Sequence, residues 1–443
     1  MLINLKFPRS PRNLTFEATE IGFILIVSLA KELHGEPLQT LRHVSMNRKL
    51  KVAVFNTQPP HLYFGGVERR IVETAKILVN EVDTTVYSGT KKGFNKTTVI
   101  DGTTFIPCLS TDMLYPLDNW VFNRSLSRMV DTIEADVYEA HTVSGYQFLK
   151  TLKKRKISKP FIHSIHGVLA DEYIQSSKSV SPSLKMKLSN VFMQHLGRIE
   201  KDAARKATLI VTVSRYSAQK IVQLYGVDET KIRIVPNGVD LQKFNPDEDC
   251  EKVKERIGGN SKHLVLFVGS LIPRKGLHFL IEAVKHVIKE NKETKFVIVG
   301  EGPLKSNLIS YAKEQGVSDR FVFLGDVPDA MLPQLYNCAD VFASPSIQEG
   351  QGISLLEAQA TAKPVVAFNV SAINEVVKNK ETGLLVKPDS YELANAIVSL
   401  LSDKPLREKM GRSGREFVSK NFSWDICAKK MLQIYSEASE RLV

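Results

Sequence analysis

The stretch Val341–Phe368, VFASPSIQEGQGISLLEAQATAKPVVAF, decides the fold. It predicts a short buried strand over Val341–Ser344, a polar turn, a helix from about Gly352 to Ala362 and a second strand over Pro364–Phe368. Two strands joined by a helix form the repeating unit of a parallel α/β sheet. In such a sheet the loop after a strand's carboxyl end opens into the ligand crevice, and the next helix points its unpaired N–H groups there and favours anions. This loop carries Glu349, Gly350, Gln351 and Gly352, and Glu357 follows about one turn into the helix. A carboxylate on each side of an amide-rich turn can accept hydrogen bonds from two diols that flank a phosphate. A nucleotide-sugar, with its ribose, diphosphate and sugar, has that layout. Two surface glutamates are the plain alternative; the buried strand and the glycine-flanked helix start favour the ligand.

The same alternation extends outward on both sides. Upstream, strands are expected at His263–Gly269, Lys295–Gly300 and Phe321–Gly325, and Arg274 and Lys275 fall in the loop after the first of them. Two adjacent cations at a strand's carboxyl end suit a diphosphate, although an isolated pair is more often surface charge. In the first half, strands are expected at Lys51–Phe55, Asp136–Ala140, Pro160–Ile165 and Thr208–Val213. Gly65 and Gly66 open a helix after the first strand, where a missing side chain allows a phosphate to approach. His166 and Gly167 follow the third of these strands. No GxGxxG run occurs, so a dinucleotide cofactor is not indicated. Pro236, Asn237, Gly238 and Pro246 punctuate KIRIVPNGVDLQKFNP and mark a boundary between two halves.

Length and charge bound the class. The 443 residues are too many for one core, and 43% hydrophobic with 24% charged residues is ordinary for a globular protein. The four cysteines are scattered, which indicates neither a disulfide frame nor a zinc site and fits a cytoplasmic location. The longest apolar run, Ile21–Ala30, falls short of a bilayer span. The net charge of +12 is uneven: residues 46–243 carry an excess of +11, whereas residues 244–443 are neutral. Lys150–Lys159 holds six basic residues and no acid, and Leu184–Ile199 has an apolar stripe at helical spacing. Together they suggest that the first half rests on an anionic membrane surface at its cytoplasmic face. Residues 1–45 lack a clear period and read as an extension outside the fold, with Met46 as a candidate start; Glu17 and Glu20 argue against a signal peptide.

The fragments PPHLYFGGVER, SIHG, VPNGVDLQKFNP, FVGSLIPRKG, VGEGP, SPSIQEGQGISLLEAQATAKPVVA and FSWDICAKKMLQIY together resemble the retaining family 4 glycosyltransferases. The resemblance runs from about Lys51 to Tyr435. It implies the α/β GT-B fold, two Rossmann-like doubly wound domains facing a cleft. Residues 46–243 would then bind the acceptor and residues 244–415 the nucleotide-sugar, with a C-terminal helix over 416–443 crossing back. By position, Arg274 and Lys275 would hold the donor diphosphate, Glu349 the transferred sugar and Glu357 the nucleotide ribose. The amides of Gly352 and Ile353, and Gly65 and Gly66 across the cleft, would complete the phosphate cradle. His166 would stand near the reacting carbon. The resemblance implies a UDP- or GDP-sugar donor, a saccharide or lipid-linked acceptor, and no metal or cofactor. Gln351, Ala362 and the pair Ser371–Ala372 depart from the family's frequent residues, an apolar side chain at the first and glycines at the others.

Rival readings are weaker. A sugar-nucleotide epimerase shares this fold, and a phosphorylase would need a pyridoxal lysine motif that is not found. A pI near 9.3 raises nucleic-acid binding, but aromatic-interleaved basic repeats and recognised binding motifs are missing. An idle scaffold would not need Glu349, Glu357, Arg274 and Lys275 together.

Overall fold

Apolar runs such as Val52–Phe55 and Leu264–Phe267 must be buried on both faces, which a parallel sheet covered by helices provides. The computed structural model describes residues 48–441 except 64, 112–116, 178–183, 248 and 259–260. The expected extension 1–45 lies outside the described residues.

Among the described residues the strands form two sheets. The first contains β1 (Leu50–Asn56), β2 (Val82–Gly89), β3 (Thr98–Ile100), β4 (Thr103–Cys108), β5 (Val137–His141), β6 (Phe161–Ile165), β7 (Leu209–Thr212) and β8 (Ile232–Ile234). Its order is β3-β4-β2-β1-β5-β6-β7-β8, parallel except for the edge strand β3. Side chains alternate across it. Ala53 and Phe55 join Tyr138, Phe148 and Phe161 on one face, while Val52 and Val54 join Val86 and Val137 on the other. The second sheet contains β9 (His263–Val268), β10 (Thr294–Val299), β11 (Phe321–Gly325), β12 (Val341–Ser344), β13 (Val365–Phe368) and β14 (Gly383–Val386). It is parallel throughout, in the order β11-β10-β9-β12-β13-β14.

Leaving out the antiparallel edge strand β3, both orders reverse once, between β1 and β5 in the first sheet and between β9 and β12 in the second. The crevice of a doubly wound sheet lies at that switch point. The loops after β9 and β12 hold Arg274, Lys275 and Glu349, so topology alone brings them together although about 75 residues separate them in sequence.

Three helices matter for the site. Helix α1 (Gly66–Ile77) follows β1, α2 (Ile353–Ala360) follows β12, and α3 (Trp424–Glu440) ends the described chain. Although α3 comes after the second sheet, it packs Trp424, Met431 and Tyr435 against Val52, Val54 and Val137 of the first. The two connections between the halves run side by side, with Val239 N–H donating to the Phe422 carbonyl at 2.8 Å. Gly238 is required there, because a Cβ would lie 2.4 Å from the Trp424 nitrogen.

The apolar stripe expected over Leu184–Ile199 is buried only in part. Leu196 lies in the core, whereas Val191 is 67% exposed; the side chains of residues 184–190 lie outside the described set. The cluster Lys150–Lys159 is not free of acid partners either, since Arg155 pairs with Asp131 at 2.5 Å.

Candidate active site

Between the sheets lies an open cleft of about 960 Å³. Gly65, Gly66, His166, Arg274, Lys275, Glu349, Gly352, Ile353 and Glu357 all line it, so every residue singled out from the sequence reaches one space.

Backbone geometry shapes the cleft. Gly352 caps α2 in the left-handed region at φ 87°, where a side chain is strained. Gly350 passes so close to the other half that a Cβ would lie 2.1 Å from the His166 carbonyl oxygen. Neither α1 nor α2 has a side-chain cap at its start, so both helices turn uncapped N-termini to the cleft. Gln351 is buried and its amide bonds both ways to Asn237: it accepts from the backbone N–H at 2.7 Å and donates to the carbonyl at 3.2 Å. An apolar residue there would leave both backbone groups unmet, which accounts for one departure from the family pattern. Ala362 and Ser371 adopt φ 54° and 48°, the conformation that glycine favours. The Ser371 hydroxyl accepts the Glu349 N–H at 2.9 Å, a bond glycine could not make.

The charged groups form two knots. In the first, Glu349 pairs with Lys275 and, at 3.3 Å, with Arg274, and it accepts the Ser346 hydroxyl at 2.8 Å. Burial works against ionising Glu349, but Lys275 and Arg274 hold its carboxyl below the usual range. Burial lowers the Lys275 ammonium, with Glu349 opposing. For Arg274, burial opposes the charge, but Glu172 and Glu349 raise the guanidinium above its ordinary value. In the second knot, the Tyr336 hydroxyl donates to Glu357 at 2.7 Å and Arg69 pairs with the other carboxylate oxygen. Arg69 also reaches Asp329 at 2.5 Å, and Lys243 pairs with Asp329 as well. Arg69 therefore crosses the cleft from α1 to the second half.

Sequence reasoning missed Arg69, Asp329, Tyr336 and Glu172. Arg69 stands in the GGVER run, but nothing in spacing ties it to a partner 288 residues away. Two buried side-chain atoms of cleft-lining residues lack a protein partner: Arg274 Nε and His166 Nδ1. Buried polar atoms are normally satisfied, so both have bonding capacity left for a ligand.

The family description "Glycosyltransferase Family 4" matches residues 64–243, and "Glycosyl transferases group 1" matches residues 250–417. The chain belongs to glycosyltransferase family 4. A similar protein is the UDP-Gal:alpha-D-GlcNAc-diphosphoundecaprenol alpha-1,3-galactosyltransferase of Escherichia coli, 28% identical over 82% of this chain and 90% of its own length. Another is the GDP-mannose-dependent alpha-(1-6)-phosphatidylinositol monomannoside mannosyltransferase of Mycobacterium tuberculosis, 33% identical over 50% of this chain and 60% of its own. Among solved structures, Anabaena HepE in complex with UDP and glucose superposes with a TM-score of 0.72 at 20% identity, covering 88% of this chain and all of that one. The architecture is GT-B, and the chain is a glycosyltransferase related to enzymes of lipid-linked and glycolipid substrates.

Proposed function

We propose that this family member moves a hexosyl unit, with retention of configuration, from a UDP- or GDP-sugar to a saccharide or lipid-linked acceptor. The observation that carries the reading is the knot of Arg274, Lys275 and Glu349 at the switch point of the second sheet, facing the uncapped starts of α1 and α2. Two cations and two helix N-termini make a site for a diphosphate and stabilise it as it leaves, the work a divalent ion does elsewhere. Glu349 then reads the sugar hydroxyls and Glu357 the ribose diol. The N-terminal half, with His166 at its mouth, receives the acceptor on the side from which the phosphate departs. Same-face displacement lets the leaving phosphate take the acceptor's proton. The excess of +11 on residues 46–243 and the lipid-linked substrates in the relatives' names support an acceptor at an anionic membrane surface. No helix among the described residues is long and apolar enough to cross a membrane.

The test is slow donor hydrolysis across UDP- and GDP-hexoses with EDTA present, followed by NMR. The proposal expects one α-linked donor to be cleaved and the α-anomer to appear first. Initial β-anomer, or activity that EDTA abolishes and Mg²⁺ restores, would overturn it.

A further inference from the structure

Behind His166 runs a buried chain of polar groups that the transfer reaction described above does not use. Glu139 and His141 share β5 and are 2% and 1% exposed. The His141 Nδ1 lies 2.8 Å from the His166 Nε2, with the ring planes 25° from parallel. On its other side, the His141 Nε2 lies 3.4 Å from a Glu139 carboxylate oxygen. That carboxylate already accepts two hydroxyls, Ser164 at 2.6 Å and Tyr435 at 2.5 Å.

The His141 Nε2 makes no well-formed hydrogen bond, so its contact with Glu139 is electrostatic. A carboxylate that takes two O–H donors repels a bare nitrogen lone pair, so the facing nitrogen of His141 carries the hydrogen. A neutral imidazole has one donor and one acceptor nitrogen, so the His141 Nδ1 is then bare. The His166 Nε2 must donate to it, and the His166 Nδ1 is left as a lone pair. That buried atom lacks a protein partner, and His166 is one of the residues lining the cleft. The neighbours keep the rings neutral. Burial, with Arg70 of α1 and His163 of β6 nearby, pushes His166 well below its ordinary value, and burial with Arg70 takes His141 down to about 4 despite Glu139.

We propose that Glu139 and His141 are positioning residues that hold His166 in the tautomer whose Nδ1 accepts a hydrogen bond from a hydroxyl of the transferred sugar. A buried carboxylate behind an imidazole fixes a tautomer in the same way in other enzymes. Here the effect passes through a second ring. The proposal rests on the reading that His166 stands beside the sugar.

The decisive measurement is long-range ¹H–¹⁵N NMR of the full chain with ¹⁵N-labelled histidine at pH 7.5, without substrate. His141 and His166 should both carry hydrogen on Nε2, and Glu139→Gln, which offers His141 an amide N–H, should move hydrogen to Nδ1 in both. Hydrogen on the His166 Nδ1 in the unaltered chain would overturn the proposal. In kinetics, Glu139→Gln and His141→Phe should lower kcat at least tenfold, read as hydrolysis of the fastest of UDP-glucose, UDP-galactose and GDP-mannose. Their UDP and GDP affinities and melting curves should stay close to those of the unaltered chain. A kcat within twofold in both variants would also overturn it. The tautomer measurement needs no substrate, so failure of the relay is distinguishable from failure of the transferase reading.

Discussion

Replacing Glu349 by alanine should destabilise the free protein and leave nucleotide binding intact or tighter. The Glu349, Lys275 and Arg274 side chains are 6%, 13% and 24% exposed, so solvent screens them little. Removing one partner of a buried pair costs about 3–5 kcal/mol, because the remaining charge stays buried and unpaired. Glu172 still acts on Arg274, which places the expected loss near the lower end, about 3 kcal/mol. A bound diphosphate would return the missing negative charge. UDP or GDP should therefore stabilise Glu349→Ala against urea more than it stabilises the unaltered chain, and calorimetry should give an equal or lower Kd. Sugar transfer should be lost, since the sugar hydroxyls have lost their acceptor. A folded Glu349→Ala that binds both nucleotides at least tenfold more weakly would refute the reasoning, because Glu349 would then be a nucleotide ligand itself.

Three further outcomes follow from the same contacts. Glu357→Ala should weaken bare UDP or GDP by about 1.5–3 kcal/mol, the worth of a charged hydrogen-bond partner, and equal affinity in calorimetry would remove Glu357 from the ribose. Burial holds His163 at about 4 against an ordinary 6.5, so it contributes stability above pH 6.5 that is lost as pH falls toward 4. Between pH 7.5 and 5.5 the unaltered chain should lose about 1 kcal/mol more than His163→Gln in urea melts, a difference that cancels the opposite trend of Glu200, whose carboxyl burial raises to about 8. Sedimentation with anionic vesicles should capture the protein at low salt and weaken when Lys153, Lys154 and Lys156, all exposed, become Glu; no capture would leave the acceptor off the membrane.

Much of the fold was legible because parallel strands are buried on both faces and read as unbroken apolar runs. β12 was expected over the residues it occupies, and β1, β9 and β10 came within one or two residues of theirs. The edge strand β11 was also expected over the residues it occupies, but β2, β3, β4, β8 and β14 were not. β3 is exposed along its length, and β8 and β14 are short and only partly buried, so they lack the apolar signature. β2 and β4 mix threonine with apolar residues and carry no family fragment. The predicted site residues were visible because each stands at a strand's carboxyl end or a helix start. Arg69, Asp329 and Tyr336 were not, because their meaning comes from partners in distant segments. The polar chain behind His166 was hidden for the same reason: Tyr435 meets Glu139 across 296 residues.

The central claim is that Arg274 and Lys275 form a diphosphate site in the cleft. It is tested most directly by titrating the full chain calorimetrically with UDP and GDP against UMP and GMP. Each hydrogen bond to a charged group contributes about 1.5–3 kcal/mol. At least one diphosphate should therefore bind ten times or more tightly than its monophosphate, and Lys275→Met should lower that preference. Equal binding of diphosphate and monophosphate, or a preference unchanged in Lys275→Met, would contradict the account.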